Sequence, residues 1–106
     1  MLTIEGALQH LGYDEKDDII TANVTAELEI AKSFLQGAVG ADVFDLLPEH
    51  PTVDGLLRVY LDEIHDERQG TSSKSSGAKR DMVNSQEWQL RLELARLRDE
   101  AEGASV

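Results

Sequence analysis

With 106 residues, 41% of them apolar but only two Phe, two Tyr and one Trp, the chain has material for one domain whose core is filled mainly by aliphatic side chains. The absence of cysteine excludes a disulfide framework, a thiolate nucleophile and a zinc–thiolate centre. Twenty-one acids against ten bases give a net charge of −11 and a pI near 4.5, which argues against general nucleic-acid binding because phosphates would be repelled.

Met1-Leu-Thr-Ile-Glu5 has neither a basic leader nor an apolar run, so nothing is expected to target or span a membrane. Thr3 is placed to cap a short helix through Leu11, with Ile4, Leu8 and Leu11 on one face and Gly12 as its stop. The acids of Tyr13-Asp-Glu-Lys-Asp-Asp18 then suit the positive end of a following helix. In that helix Ile20, Val24, Leu28, Ala31 and Leu35 recur at three- and four-residue steps. Ile19, Phe34 and Ala38 widen the stripe, Gly37 and Gly40 mark a fraying end, and the length comes to about 30 Å.

Pro48 and Pro51 forbid a continued helix through residues 41–51, where Val43, Phe44, Leu46 and Leu47 are expected to pin the chain to the core. A further helix is predicted from Thr52, capped by its hydroxyl, with Val53, Leu56, Leu57, Tyr60, Leu61 and Ile64 inward and Asp54, Arg58, Asp62 and Asp66 outward.

Residues 69–80 form a Ser/Gly-rich hinge, expected to be mobile in the free chain. Beyond it, alternation of Trp88, Leu90, Leu92 and Leu94 reads as a strand, whereas Leu90, Leu94, Leu97 and Ala101 repeat as in a helix. Opposite charges four apart (Glu87 and Arg91, Arg96 and Glu100, Arg98 and Glu102) favour a helix over 81–101, started by an Asn84/Glu87 capping box or nearer Asp81, with 102–106 as a tail. Trp88, Leu92 and Ala95 lie off its main stripe, so one seam cannot bury every apolar group and the surplus points to a binding face. The fold class is therefore all-α: a small bundle, acidic over residues 1–68, with a mobile loop and a C-terminal interaction helix in the same single domain. Residues 1–70 hold fifteen acids against four bases, whereas 71–106 hold six of each, so all the net charge sits in the body.

Catalytic and ligand motifs are weak. Asp62, His65 and Asp66 share metal-ligand spacing but read as a solvated acidic helix face. In Asp14-Glu-Lys-Asp-Asp18, Lys16 occupies a calcium-ligand position and Ile19 stands where the turn glycine belongs. His10, His50 and His65 sit on separate elements without a recognisable nucleophile, and Gly37 and Gly40 lack the strand and Lys-Ser/Thr of a phosphate loop. Lys74, Lys79 and Arg80 are a basic cluster best read as solvated. No catalytic residue, metal or cofactor is expected.

Leu8-Gln-His-Leu-Gly-Tyr-Asp14 leading into Asp17-Asp-Ile-Ile20, the helix to Phe34-Leu-Gln-Gly-Ala-Val-Gly40, and Met82-Val-Asn-Ser85 with Gln89-Leu-Arg-Leu-Glu93 together resemble the head-tail connector (adaptor) family of tailed bacteriophages. The resemblance implies a homo-oligomeric ring beneath the portal protein at the capsid vertex, extending the DNA channel towards the next neck or tail-completion protein. It implies a virion location after synthesis in the bacterial cytoplasm, with DNA passing through and not specifically bound. On that footing Met82, Trp88, Arg91, Leu92, Arg96 and Arg98 are candidates for meeting the portal or a neighbouring subunit, Trp88 being either such an anchor or a core residue. Gly70, Ser73, Lys74, Gly77 and Lys79 are candidates for a loop that orders on assembly. A small acidic adaptor binding one partner through the last helix is the alternative. A packaging-related DNA binder is the third reading, opposed by a long helix with Lys32 as its single base.

Overall fold

The computed structural model describes residues 1–13, 17–68 and 77–104, the side chains of 78 and 104 excepted. Helix α1 (Ile4–Leu11) starts where the Thr3 hydroxyl accepts the Gly6 N–H at 3.1 Å. It ends in a Schellman turn: Gly12 adopts φ 83°, its N–H donates to Gln9 and the Tyr13 N–H donates to the Leu8 carbonyl. That turn delivers the Tyr13 side chain to α4. Helix α2 (Asp18–Val39) is capped by Asp17, whose carboxylate accepts the N–H groups of Ile19 and Ile20 at 3.0 and 3.1 Å.

The one-turn α3 (Val43–Leu46) is held by buried Val43 and Leu47 and by half-buried Phe44 and Leu46. Helix α4 (Pro51–Arg68) begins one residue earlier than the sequence suggested, with proline in the first-turn position where its missing N–H costs nothing. The cap differs too. The His50 imidazole, not the Thr52 hydroxyl, satisfies the first turn, Nδ1 accepting the Thr52 N–H at 3.2 Å.

Helix α5 (Gly77–Ala104) is longer at both ends than the 81–101 expected, so residues 77–80 of the hinge and 102–104 of the tail are helical. Apolar periodicity stops near Met82, but Lys79 and Arg80 are good helix formers and need no apolar partner to continue the turn. An Asn84 capping box is excluded, since the helix is already under way there.

Among the described residues, five helices and no strand make a small all-α bundle. Its centre is α2, which touches the other four. Helices α2 and α4 run antiparallel, bringing Glu27 beside His65 and Phe34 beside Tyr60. Val24, Leu28, Ala31, Leu35 and Val39 of α2 meet Leu8 of α1, Leu56, Leu57 and Leu61 of α4, and Leu90 and Leu94 of α5 in one buried cluster. Leu2, ahead of the first helix, also joins it. Two expected members do not: Ile19 and Phe34 are 75% and 59% exposed. Ile19 projects from the side of α2 opposite its buried row and Phe34 from its flank beside Tyr60, and the molecule, 51 × 32 × 18 Å, is only about two helices thick.

Candidate interaction surface

Helix α5 has two apolar faces with different fates. Its inner face buries Leu90 and Leu94 completely, with Val83 and Leu97 packed alongside. Polar ties flank this seam. The Arg91 Nε donates to the Ala38 carbonyl at 2.5 Å, and the His50 Nε2 lies 3.2 Å from a Glu93 carboxylate oxygen. The Arg98 guanidinium forks onto the Asp42 carboxylate, Nε to Oδ2 at 2.9 Å and Nη2 to Oδ1. Helix and turn approach so closely that a methyl group on Gly40 would lie 2.7 Å from the Arg98 Nη2 and 3.2 Å from the Leu94 Cδ1.

The hydrogen bonds from Arg98 hold the Asp42 carboxyl below its ordinary value of 3.8 and raise the guanidinium in return. Because the folded-state value is the lower one, Asp42 contributes stability that is full above about 3.8 and disappears as pH falls through the depressed value. Asp42→Asn is thus expected to melt below the wild type at neutral pH and to match it in strong acid. An undiminished difference in acid would remove this ion pair as the cause; the measurement is thermal unfolding by circular dichroism at the two pH values.

The outer face carries Trp88, Leu92 and Ala95, with Trp88 57% and Leu92 54% exposed, and Met82 half-exposed farther along the helix. Trp88 is therefore not a core residue of the single chain. Of the arginines expected to reach outward with it, Arg91 and Arg98 instead fasten α5 to its own chain, because they flank the buried Leu90/Leu94 row on the side of Ala38 and Asp42. Arg96 remains on the outside, bonded to Glu100 at 2.9 Å and 3.9 Å from Glu93. The expected pairing of Arg98 with Glu102 gives way to Asp42. Gly77 and Lys79, assigned to an assembly loop, lie in the first turn of α5, whereas Gly70, Ser73 and Lys74 fall outside the described residues.

A buried polar chain escaped sequence reading. Glu27, 1% exposed, accepts from the His65 Nδ1 at 2.9 Å, leaving Nε2 to accept the Tyr13 hydroxyl at 2.8 Å, and the Arg68 Nη1 lies 3.5 Å from the other Glu27 oxygen. The rings of Tyr13 and His65 meet edge to face at 5.4 Å. The one available signal was Glu27 itself, adjacent to Leu28 and three residues from Val24 on the inward side of α2. Carboxylate, imidazole and hydroxyl follow the order of a catalytic relay. In the fold this polar chain ties three helices together, with Tyr13 following α1, Glu27 on α2 and His65 on α4. Asp62, which shares ligand spacing with His65, faces His10 at 2.9 Å instead.

On the other side, Ile30, Phe34, Glu29 and Ser33 form an open shelf on α2. Past Phe34 the shelf deepens into a groove of about 200 Å³ between α2, α4 and α5, lined by Ala38, Tyr60 and Ile64 and rimmed by Glu63 and Glu87. Burial, reinforced by the Glu87 and Glu63 carboxylates, raises the Tyr60 hydroxyl far above its ordinary range, so it stays protonated.

Among the described residues no helix is long and apolar enough to cross a membrane, and no group of three or more acids and histidines converges to hold a metal. No family model, curated protein or solved structure matches the chain. What the arrangement defines is a helical bundle with uncovered apolar surface on α5 and on α2.

Proposed function

We propose that the chain is a structural subunit of a phage head-tail connector, a ring-forming adaptor that sits under the portal and carries the DNA channel towards the tail. The observation that carries this reading is the outer face of α5: Trp88 and Leu92 stand more than half exposed on a helix whose opposite face is already committed to its own core. Large apolar groups side by side on an otherwise charged surface favour association, and Trp is prominent among residues that dominate interfaces. The charge distribution supports the same role. An acidic body raises the energy of close approach by phosphates, as a conduit for DNA requires, while the neutral C-terminal region is free of that repulsion towards other copies.

Native mass spectrometry and negative-stain imaging over a concentration series, with and without portal protein, test this reading. The expected result is rings or discrete oligomers. Trp88→Ser combined with Leu92→Ser is expected to abolish them while leaving the melting temperature within about 2 °C, since neither side chain is in the core. A strictly monomeric wild type indifferent to portal would overturn the connector reading, and a one-to-one complex through α5 would replace it with a single-partner adaptor.

A further inference from the structure

Two uncovered apolar surfaces of this chain cannot meet within one molecule. The first is the outer face of α5, which points away from its own α2 because Leu90 and Leu94 on the opposite side occupy that contact. The second runs along α2. Ile19, Asn23, Ala26, Ile30, Ser33 and Gly37, all exposed, succeed one another at steps of four and three residues on the side opposite the buried row. No ionisable residue interrupts this lane, in a chain with twenty-one acids. Small Ala, Ser and Gly residues allow close approach of another helix, while Ile30 and Phe34 offer the apolar floor that opens into the Tyr60 groove.

Charge selects what can cover that floor. Its rim is acidic, with Glu29, Glu63 and Glu87, and the body around it carries the full net charge, so a second body pressed against it meets repulsion. The middle of the α5 outer face brings Trp88 and Leu92 edged by Arg96, which is 60% exposed although paired with Glu100 at 2.9 Å, while the acids of that row, Asp81 and Asp99, stand seven residues away at its ends. Two α5 outer faces fit each other poorly. The exposed row 81, 85, 88, 92, 95, 99 is symmetric about residue 90, so antiparallel packing sets Asp81 of each copy opposite Asp99 of the other.

We propose that the outer face of α5, through Trp88, Leu92 and Arg96, seats on the Ile30/Phe34 floor of α2 in a second copy of this chain. The contact is heterologous, each copy giving one face and receiving the other, so repetition either closes a ring or extends a filament. It rests on the ring-subunit reading above and assigns the surfaces that make the ring.

The chain contains no cysteine, which makes disulfide trapping clean. Ile30→Cys and Leu92→Cys are made as separate full-length proteins, with Ser33→Cys as a second floor probe; all three sites are exposed and are expected to leave the helical circular dichroism unchanged. On mixing and mild oxidation, the Leu92→Cys protein is expected to form a covalent dimer with either floor variant. None is expected to dimerise alone, and the Ile30→Cys/Leu92→Cys double variant should give a reducible ladder of higher oligomers. A dimer from Leu92→Cys by itself would show α5 packing on α5 and overturn the proposal. So would an unlinked mixture when the unmodified chain forms oligomers by native mass spectrometry, an outcome that leaves the ring reading standing. An unmodified chain that stays monomeric, with portal as without it, sinks both.

Discussion

Gly40→Ala is expected to cost the folded chain about 3 kcal/mol, a large part of the stability available to a domain of this size. Two effects coincide at this position. Gly40 ends α2 at φ 157° and ψ 144°, a conformation that a side chain strongly disfavours. The added methyl group would also enter the space where the Arg98 Nη2, the Leu94 Cδ1 and an Asp42 carboxylate oxygen converge, at 2.7, 3.2 and 3.2 Å. Arg98 can swing away at little cost, but Leu94 is fully buried and cannot. The loss therefore falls on the docking of α5. Urea denaturation of the wild type, Gly40→Ala, Leu94→Ala and Gly40→Ala/Leu94→Ala separates the two effects: a cost of Gly40→Ala that comes from backbone strain persists in the Leu94→Ala background, whereas one that comes from overlap with Leu94 shrinks there. A change below about 1 kcal/mol would mean that neither the turn nor the close approach constrains the fold.

His65→Ala is expected to destabilise by about 3 to 5 kcal/mol, because it leaves the Glu27 carboxylate buried with Arg68, at 3.5 Å, as its charged neighbour among the described residues. The expense comes from the partner left behind. Tyr13→Phe, which removes one hydroxyl at the outer end of the chain, is expected to cost about 1 kcal/mol. Replacing Glu27 and His65 together by leucine should be milder than His65→Ala, since no desolvated charge remains. Equilibrium unfolding of the four proteins provides the comparison. A His65→Ala protein within about 1 kcal/mol of the wild type would show that water or Arg68 already satisfies Glu27.

Both results bear on the proposed assembly. Gly40, Asp42 and Arg98 fix how α5 lies on the body and so where Trp88 and Leu92 point. The Glu27–His65–Tyr13 chain fixes α1 and α4 against the helix that carries the Ile30/Phe34 floor. A connector subunit needs its two contact faces at a constant angle, because that angle decides whether a repeated heterologous contact closes into a ring.

Local physics made most of the helices legible from the sequence alone. The Thr3 cap, the acidic start of α2, the Gly12 stop and the recurrence of Val24, Leu28, Ala31 and Leu35 each depend on residues within a turn or two of one another, and each appears in the fold as local chemistry dictates. The surplus apolar surface of the last helix was legible for the same reason: 3.6-residue periodicity places Trp88 and Leu92 off the Leu90/Leu94 seam whatever surrounds them. Relations between distant segments were not legible. Arg91 and Arg98 look outward-reaching until α5 is laid beside Ala38 and Asp42, more than fifty residues earlier in the chain. His65 looks like part of a solvated face until Glu27 and Tyr13 arrive from α2 and the end of α1. Ile19 and Phe34 look like core until the bundle proves only about two helices thick, leaving the outer side of α2 uncovered. Periodicity, joined in α5 by opposite charges four residues apart, thus determined the four longer helices and that α5 has more apolar surface than one seam can hide, whereas the one-turn α3 forms in a stretch where the prolines argued against a helix. Only tertiary packing decided which of those faces were consumed in the fold and which were left for a partner, because burial is a property of the element that arrives opposite and no local pattern records it.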